Sequence, residues 1–236
     1  MRAMIRISPA LILTAVAACV HFASCSSSAS AVNPSTMNGK ANQYVMQGES
    51  RELALKAMEE KDRGKSKDYA EKGMEIAERC LMHAPENAGC RYWRAVNTGL
   101  YYKVRVLGYQ NGIKRMIDDC NAVISLDPKY EHAGAYRMLG QIYTQLPQTG
   151  GNVESVTRNL PFAESCLKKA VELAPDYPEN YLSLAENYLS QEKFGDAIEA
   201  LADAKSLVQQ WKHDASYEDW KISFRGLEKQ IDKRKD

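Results

Sequence analysis

Four histidines, His21, His83, His132 and His213, are the first residues to weigh for chemistry, and none stands at metal-ligand spacing from another His, Cys or carboxylate. The chain carries no GxSxG, no HExxH and no P-loop. Gly150-Gly151 is too little by itself to cradle a phosphate. The neighbouring acids Asp118-Asp119 and Glu59-Glu60 point to different faces of a helix and so cannot share a proton as a catalytic pair. These residues predict a protein that is not an enzyme and uses no metal or cofactor. What remains is thiol chemistry at six cysteines and hydrogen bonding by a few long polar side chains. Arg137 and Gln141 lie one helical turn apart and can jointly hold a carboxylate or a peptide carbonyl, although a solvated helix face has the same pattern. Trp93 and the pair Tyr101-Tyr102 fit either interhelical filler or an aromatic cage.

The earliest cysteines belong to an export segment. Arg2 and Arg6 form a positive leader, and an apolar run follows from Ala10 to Ala18. Phe22-Ala23-Ser24-Cys25 then precedes a Ser-rich stretch, an arrangement that looks like a bacterial lipobox, in which Cys25 is acylated and becomes the mature N-terminus. Val16-Ala17-Ala18-Cys19 is the alternative, with a shorter apolar run and no polar tether behind it. An uncleaved membrane helix over 7–24 is a further reading, interrupted by Pro9 and His21. Each buried CH₂ contributes about 0.8 kcal/mol, so more than one acyl chain on one cysteine gives stable anchoring. No Asp follows Cys25 directly, which points to the outer membrane, facing the periplasm. The expected division is therefore 1–25 signal peptide and lipobox, 26–42 flexible tether, and 43–236 helical domain.

Of the other four cysteines, Cys80 falls near the end of one predicted helix and Cys90 at the start of the next, so an antiparallel return can bring them within bridging range; two free buried thiols are equally compatible. Cys120 and Cys166 sit at helix-packing positions.

The helices that position these groups are punctuated by proline. Pro85, Pro128 and Pro175 each end a helix, because the ring blocks helical continuation before it. Between them, small residues, leucines and aromatics recur where antiparallel helices must touch. In the stretch 162–205 these are Tyr181, Leu184, Ala185, Tyr188, Ala197, Leu201 and Ala204; in the preceding hairpin, Tyr136, Leu139, Gly140 and Tyr143. This spacing resembles the tetratricopeptide repeat (TPR), a unit of 34 residues. The prolines are 43 and 47 residues apart, so the middle hairpins carry insertions. In the first hairpin Gly64 is the expected turn. In the second, Arg91 and Arg94 stand where an aromatic and a Leu are expected, and the first helix is predicted to run through Val106 to a turn at Gly108–Gly112. The segment Leu146–Pro161 is either a functional loop or a short helix covering core. Trp220, Phe224, Leu227 and Ile231 make one apolar face after a Ser216/Asp219 capping box, and should close the array. The fold class is all-α: about four TPR-like helical hairpins forming an α-α superhelix, with a C-terminal capping helix.

The TPR resemblance implies a concave groove lined by Gly134, Arg137, Gln141, Thr144 and Gln145 in the third repeat, and by Glu179, Leu182, Glu186, Leu189 and Ser190 in the fourth. Candidate ligand contacts are Trp93, Arg94, Asn97, Arg137, Gln141 and Gln145. Tyr92-Trp93-Arg94-Ala95, Leu126-Asp127-Pro128-Lys129-Tyr130, Gly134–Gly140 and Gly150-Gly151 together are similar to bacterial TPR lipoproteins of the TRAP-transporter T-component kind.

Net charge is +1, falling to about −1 once Arg2 and Arg6 are removed, and hydrophobic residues make up 44% of the chain against 26% charged. That balance argues against nucleic acid, which needs clustered cations. The leading expectation is a lipid-anchored periplasmic scaffold that binds a protein or peptide in its groove. The alternative is a T-component-like accessory protein, possible as a homo-oligomer, that binds or passes a small solute for a TRAP-type transporter.

Overall fold

The computed structural model describes residues 34–105, 107–151 and 153–235. The expected signal peptide with Cys19 and Cys25, and residues 26–33 of the expected tether, lie outside the described residues. Among those described there are nine α-helices and no strand: α1 Pro34–Glu59, α2 Arg63–His83, α3 Ala88–Val104, α4 Tyr109–Leu126, α5 Tyr130–Gln145, α6 Leu160–Leu173, α7 Pro178–Ser190, α8 Phe194–Leu207 and α9 Tyr217–Lys235, with a 3-10 turn Val208–Trp211 before the last. Because α1 begins at Pro34, the last part of the expected 26–42 tether is helical.

Consecutive helices pair as antiparallel hairpins, α1/α2, α3/α4, α5/α6 and α7/α8, and the first helices stack α1 on α3, α3 on α5 and α5 on α7. Local chemistry sets the boundaries. Asp62, Asn87 and Asn159 each accept a backbone N–H three residues on, satisfying a donor that the first helical turn leaves orphaned. Ala84 and Ala174, each just before a proline, leave their helices in nearly the same conformation (φ −141°, ψ 73° and φ −140°, ψ 74°). Gly64 is not the turn residue expected. It lies in the first turn of α2, and Asp62 caps that helix. The second turn is also shorter than its sequence suggested: α3 stops at Val104 and α4 starts at Tyr109, with Gly108 at φ 79°.

Close helix approach follows from small residues. A Cβ added to Gly140 would fall 2.3 Å from Leu167 Cγ, so only glycine lets α6 pack this tightly on α5. Two large apolar clusters result, one joining the first three hairpins and one running from α5 to α9. Trp220, Phe224, Leu227 and Ile231 are all buried in the second, so α9 covers the side that α7 and α8 would otherwise expose.

The described residues of 146–159 form no helix. They are pinned instead: the Gln110 side-chain amide exchanges two hydrogen bonds with the Val156 backbone (2.9 and 3.2 Å), Arg158 Nε donates to the Leu146 carbonyl (2.8 Å) and Asn159 N to the Tyr143 carbonyl (3.0 Å).

Candidate functional site on the inner helices

The helices α3, α5 and α7 supply the polar residues that the repeat pattern assigns to a groove, and the structure folds most of them inward. Trp93 is 0% exposed; its indole N–H donates to the Tyr130 hydroxyl (3.2 Å), which also accepts from Gln47 Nε2 (3.1 Å). Arg94 grips Asp119 on α4 with two bonds, Nε to Oδ2 at 2.8 Å and the terminal nitrogen to Oδ1 at 2.6 Å, while Arg91 approaches the same carboxylate at 3.5 Å. The two arginines that break the repeat consensus thus replace an apolar hairpin contact with a charged one, and Asp119 is structural. Asn97 is buried against α1, donating to the backbone and side chain of Ser50 at 3.1 and 3.2 Å.

Arg137 is 3% exposed. One terminal nitrogen donates to Asn180 Oδ1 (2.9 Å) and to the His132 carbonyl (3.2 Å), Nε lies 4.0 Å from Glu179 Oε1, and the guanidinium sits 4.9 Å from the Tyr177 ring centroid. Its hydrogen bonding is internal, so it does not present an open carboxylate site together with Gln141. Gln141 donates to Ser183 Oγ (2.9 Å), whereas Gln145 is exposed one turn further on. Trp93, Asn97 and Arg137 therefore belong to the interior, and Gln141 and Gln145 stay near the surface.

A feature missed in the sequence lies beside Arg137. From proline to the start of the repeat there are three residue steps at Pro85–Ala88 and at Pro175–Pro178, but five at Pro128–Ala133. The structure absorbs the two extra residues in a left-handed turn: Glu131, His132 and Ala133 have φ of 49°, 57° and 59°. None is glycine, and left-handed helical geometry costs roughly 1–2 kcal/mol per L-residue. The turn directs Glu131 and His132 toward the interior. The His132 ring stacks on Tyr177 (4.4 Å, 9°) and meets Trp211 edge-on (5.1 Å). Strain of this kind concentrates where structure serves function, and the unequal proline count was the signal that could have found it.

Electrostatics reinforce the picture. Glu179, 0% exposed, is pushed up to about 7 by burial, against the opposing pull of Arg137; Tyr177 and Trp220 hydrogen-bond to it, and its Oε1 has no hydrogen-bond partner. Glu186, seven residues along α7, is pushed up to about 8 by burial and then by the charge of Glu179. Burial also raises the Glu131 carboxyl, with Arg51 and Arg137 opposing, and lowers His132, with Arg137 adding to the effect. The site is a line of charges and aromatic rings joining successive hairpins. Among the described residues no group of three or more His, Cys, Asp or Glu is placed to hold a metal ion.

The class defined by this architecture is a TPR-like array of four hairpins with a closing helix. The profile of the TRAP transporter T-component family matches residues 36–206, and the chain belongs to that family. No curated protein matches the sequence. Among solved structures, MamA (41-end) from Desulfovibrio magneticus RS-1 is similar at 14% identity and a TM-score of 0.46, covering 81% of this chain and 92% of that one.

Proposed function

We propose that the protein is a periplasmic, lipid-anchored accessory component of a TRAP-type transporter, without catalytic activity, whose hairpin array docks another protein of that system. The family match across the array, residues 36–206, carries this reading. Within the described residues no helix is long and apolar enough to cross a membrane; we assign attachment to acylation of Cys25, or of Cys19, in the expected export segment, with the residues between the lipidated cysteine and α1 as the tether. On α5 Gln141 is half-buried and Gln145 exposed, and we assign them to the partner contact. Co-purification of the full, membrane-extracted chain with the other transporter components tests the proposal. Recovery of a transporter component, reduced by Gln145→Ala, is expected; no transporter component in the eluate overturns it. Labelling with a fatty-acid probe in Cys25→Ala and Cys19→Ala variants assigns the anchor.

A second reading, solute binding or passage, is favoured by one observation: the line of charges and aromatic rings that runs from half-buried Arg51 and Glu131 to buried Arg137 and Glu179. Thermal-shift titration with small organic acids separates the two, because a docking protein with no solute site keeps its Tm in every one of them. Sizing at several concentrations establishes whether the protein forms a homo-oligomer.

A further inference from the structure

We propose that Glu131–Ala133, the turn that leads from the second hairpin into α5, is a spring-loaded seat for the fourth hairpin, a left-handed turn that exists only while α7 is docked on it and rewinds into right-handed helix, as an extension of α5, when the third and fourth hairpins part. The first observation is the strain itself: three consecutive residues with side chains at φ 49°, 57° and 59°, where L-residues rarely go and then singly. The second is where the restraint comes from. Within its own segment the turn has the Ala133 N–H to Lys129 carbonyl bond (3.2 Å). The clasp that opposes rewinding is supplied largely from beyond the third hairpin. Asn180 Nδ2 reaches the His132 carbonyl at 3.2 Å, and Asn180 Oδ1 holds the Arg137 guanidinium that reaches the same carbonyl. Tyr177 and Trp211 sandwich the His132 ring from its face and edge.

Undocking the fourth hairpin removes that clasp and releases the strain together, so the junction of the third and fourth hairpins opens more readily than its neighbours. The junction of the first and second hairpins has an unstrained turn and is tied by the Cys80–Cys90 bond. Opening is thereby directed to one place in the array, with Asn180 as its catch.

The test uses the opposite preferences of glycine and alanine. In a left-handed turn glycine is the more stable of the two; in a right-handed helix alanine is. Glu131→Gly is expected to melt higher than Glu131→Ala, and His132→Gly higher than His132→Ala, since each pair removes the same side-chain contacts. Alanine melting higher at both positions overturns the proposal. In the Asn180→Ala background the glycine advantage should vanish or reverse. Hydrogen exchange is the independent readout: Asn180→Ala should accelerate amides of 131–135 and of α7 by at least about tenfold, leaving α1 to α3 unchanged. Acceleration spread evenly over the chain, or none at 131–135, overturns it.

Discussion

Arg137 and Glu179 face each other across the third and fourth hairpins, Nε to Oε1 at 4.0 Å, with side chains 3% and 0% exposed. The pair is asymmetric. Both have neutral partners, Asn180 and the His132 carbonyl for Arg137 and Tyr177 and Trp220 for Glu179, but Arg137 has a second carboxylate nearby in Glu131, whereas Arg137 is the near cation of Glu179. Removing the cation should therefore hurt more than removing the anion. Arg137→Met is expected to lose roughly 3–5 kcal/mol near pH 8, where it strands a buried carboxylate. Glu179→Gln should lose much less. Urea unfolding of both variants measures the difference, and equal losses would show that packing, not charge, dominates.

The same carboxylate sets a pH dependence. Glu179 is raised from 4.5 to about 7 and Glu186 from 4.5 to about 8. A raised folded-state value means that the unfolded chain gives up its protons first. The stabilising effect is full below about 4.5 and is lost as pH rises through about 7 to 8. Glu186 retains some contact with solvent, so water damps its shift and Glu179 should carry more of the effect. Denaturant midpoints taken between pH 5 and pH 8.5 should fall, and Glu179→Gln should flatten the decline. A slope unchanged in that variant would place the titration elsewhere.

The hairpins legible in the sequence are those whose packing obeys a spacing rule. Tyr136, Leu139, Gly140 and Tyr143 mark α5 because only small or flat residues fit between antiparallel helices, and Trp220 to Ile231 mark the closing helix by their period. The site was less legible because its determinants are exceptions to that rule. Arg91 and Arg94 look like packing faults until Asp119 is seen reaching them from α4. Buried Asn97 and Asn187 share the tenth repeat position and tie α3 to α1 and α7 to α5, through Ser50 and Thr144. A polar residue on a first helix is otherwise indistinguishable from a solvated one. The left-handed turn leaves a numerical trace in the proline spacing, but its handedness arises from tertiary contacts.

The Cys80–Cys90 bond closes a loop of sequence separation 10 across the α2–α3 turn, with both cysteines buried against α1. By chain entropy such a loop is worth roughly 2–3 kcal/mol. The Cys80→Ser/Cys90→Ser double variant should melt several degrees lower than the parent chain, and reduction of the parent should reproduce that shift. A Tm insensitive to reductant would show the thiols unpaired in solution. Mass mapping after alkylation without reductant should find no label on either residue.

Asp119 offers the sharpest check on the charged hairpin contact. It is fully enclosed, accepts from Arg94 at 2.8 and 2.6 Å and stands 3.5 Å from Arg91. Asp119→Asn keeps the shape but removes the charge, leaving two guanidinium groups facing each other with one neutral acceptor. A loss of about 3 kcal/mol or more is expected, as for a buried pair broken on one side. Arg94→Leu restores the residue type that the repeat consensus prefers, but alone it strands the carboxylate. Combining Arg94→Leu with Asp119→Leu removes both charges and should recover much of the loss, since a fitted apolar pair often matches a buried ionic one. A double-mutant cycle in urea gives the coupling directly. If it is below about 0.5 kcal/mol, Arg91 alone satisfies Asp119 and the role given to Arg94 fails.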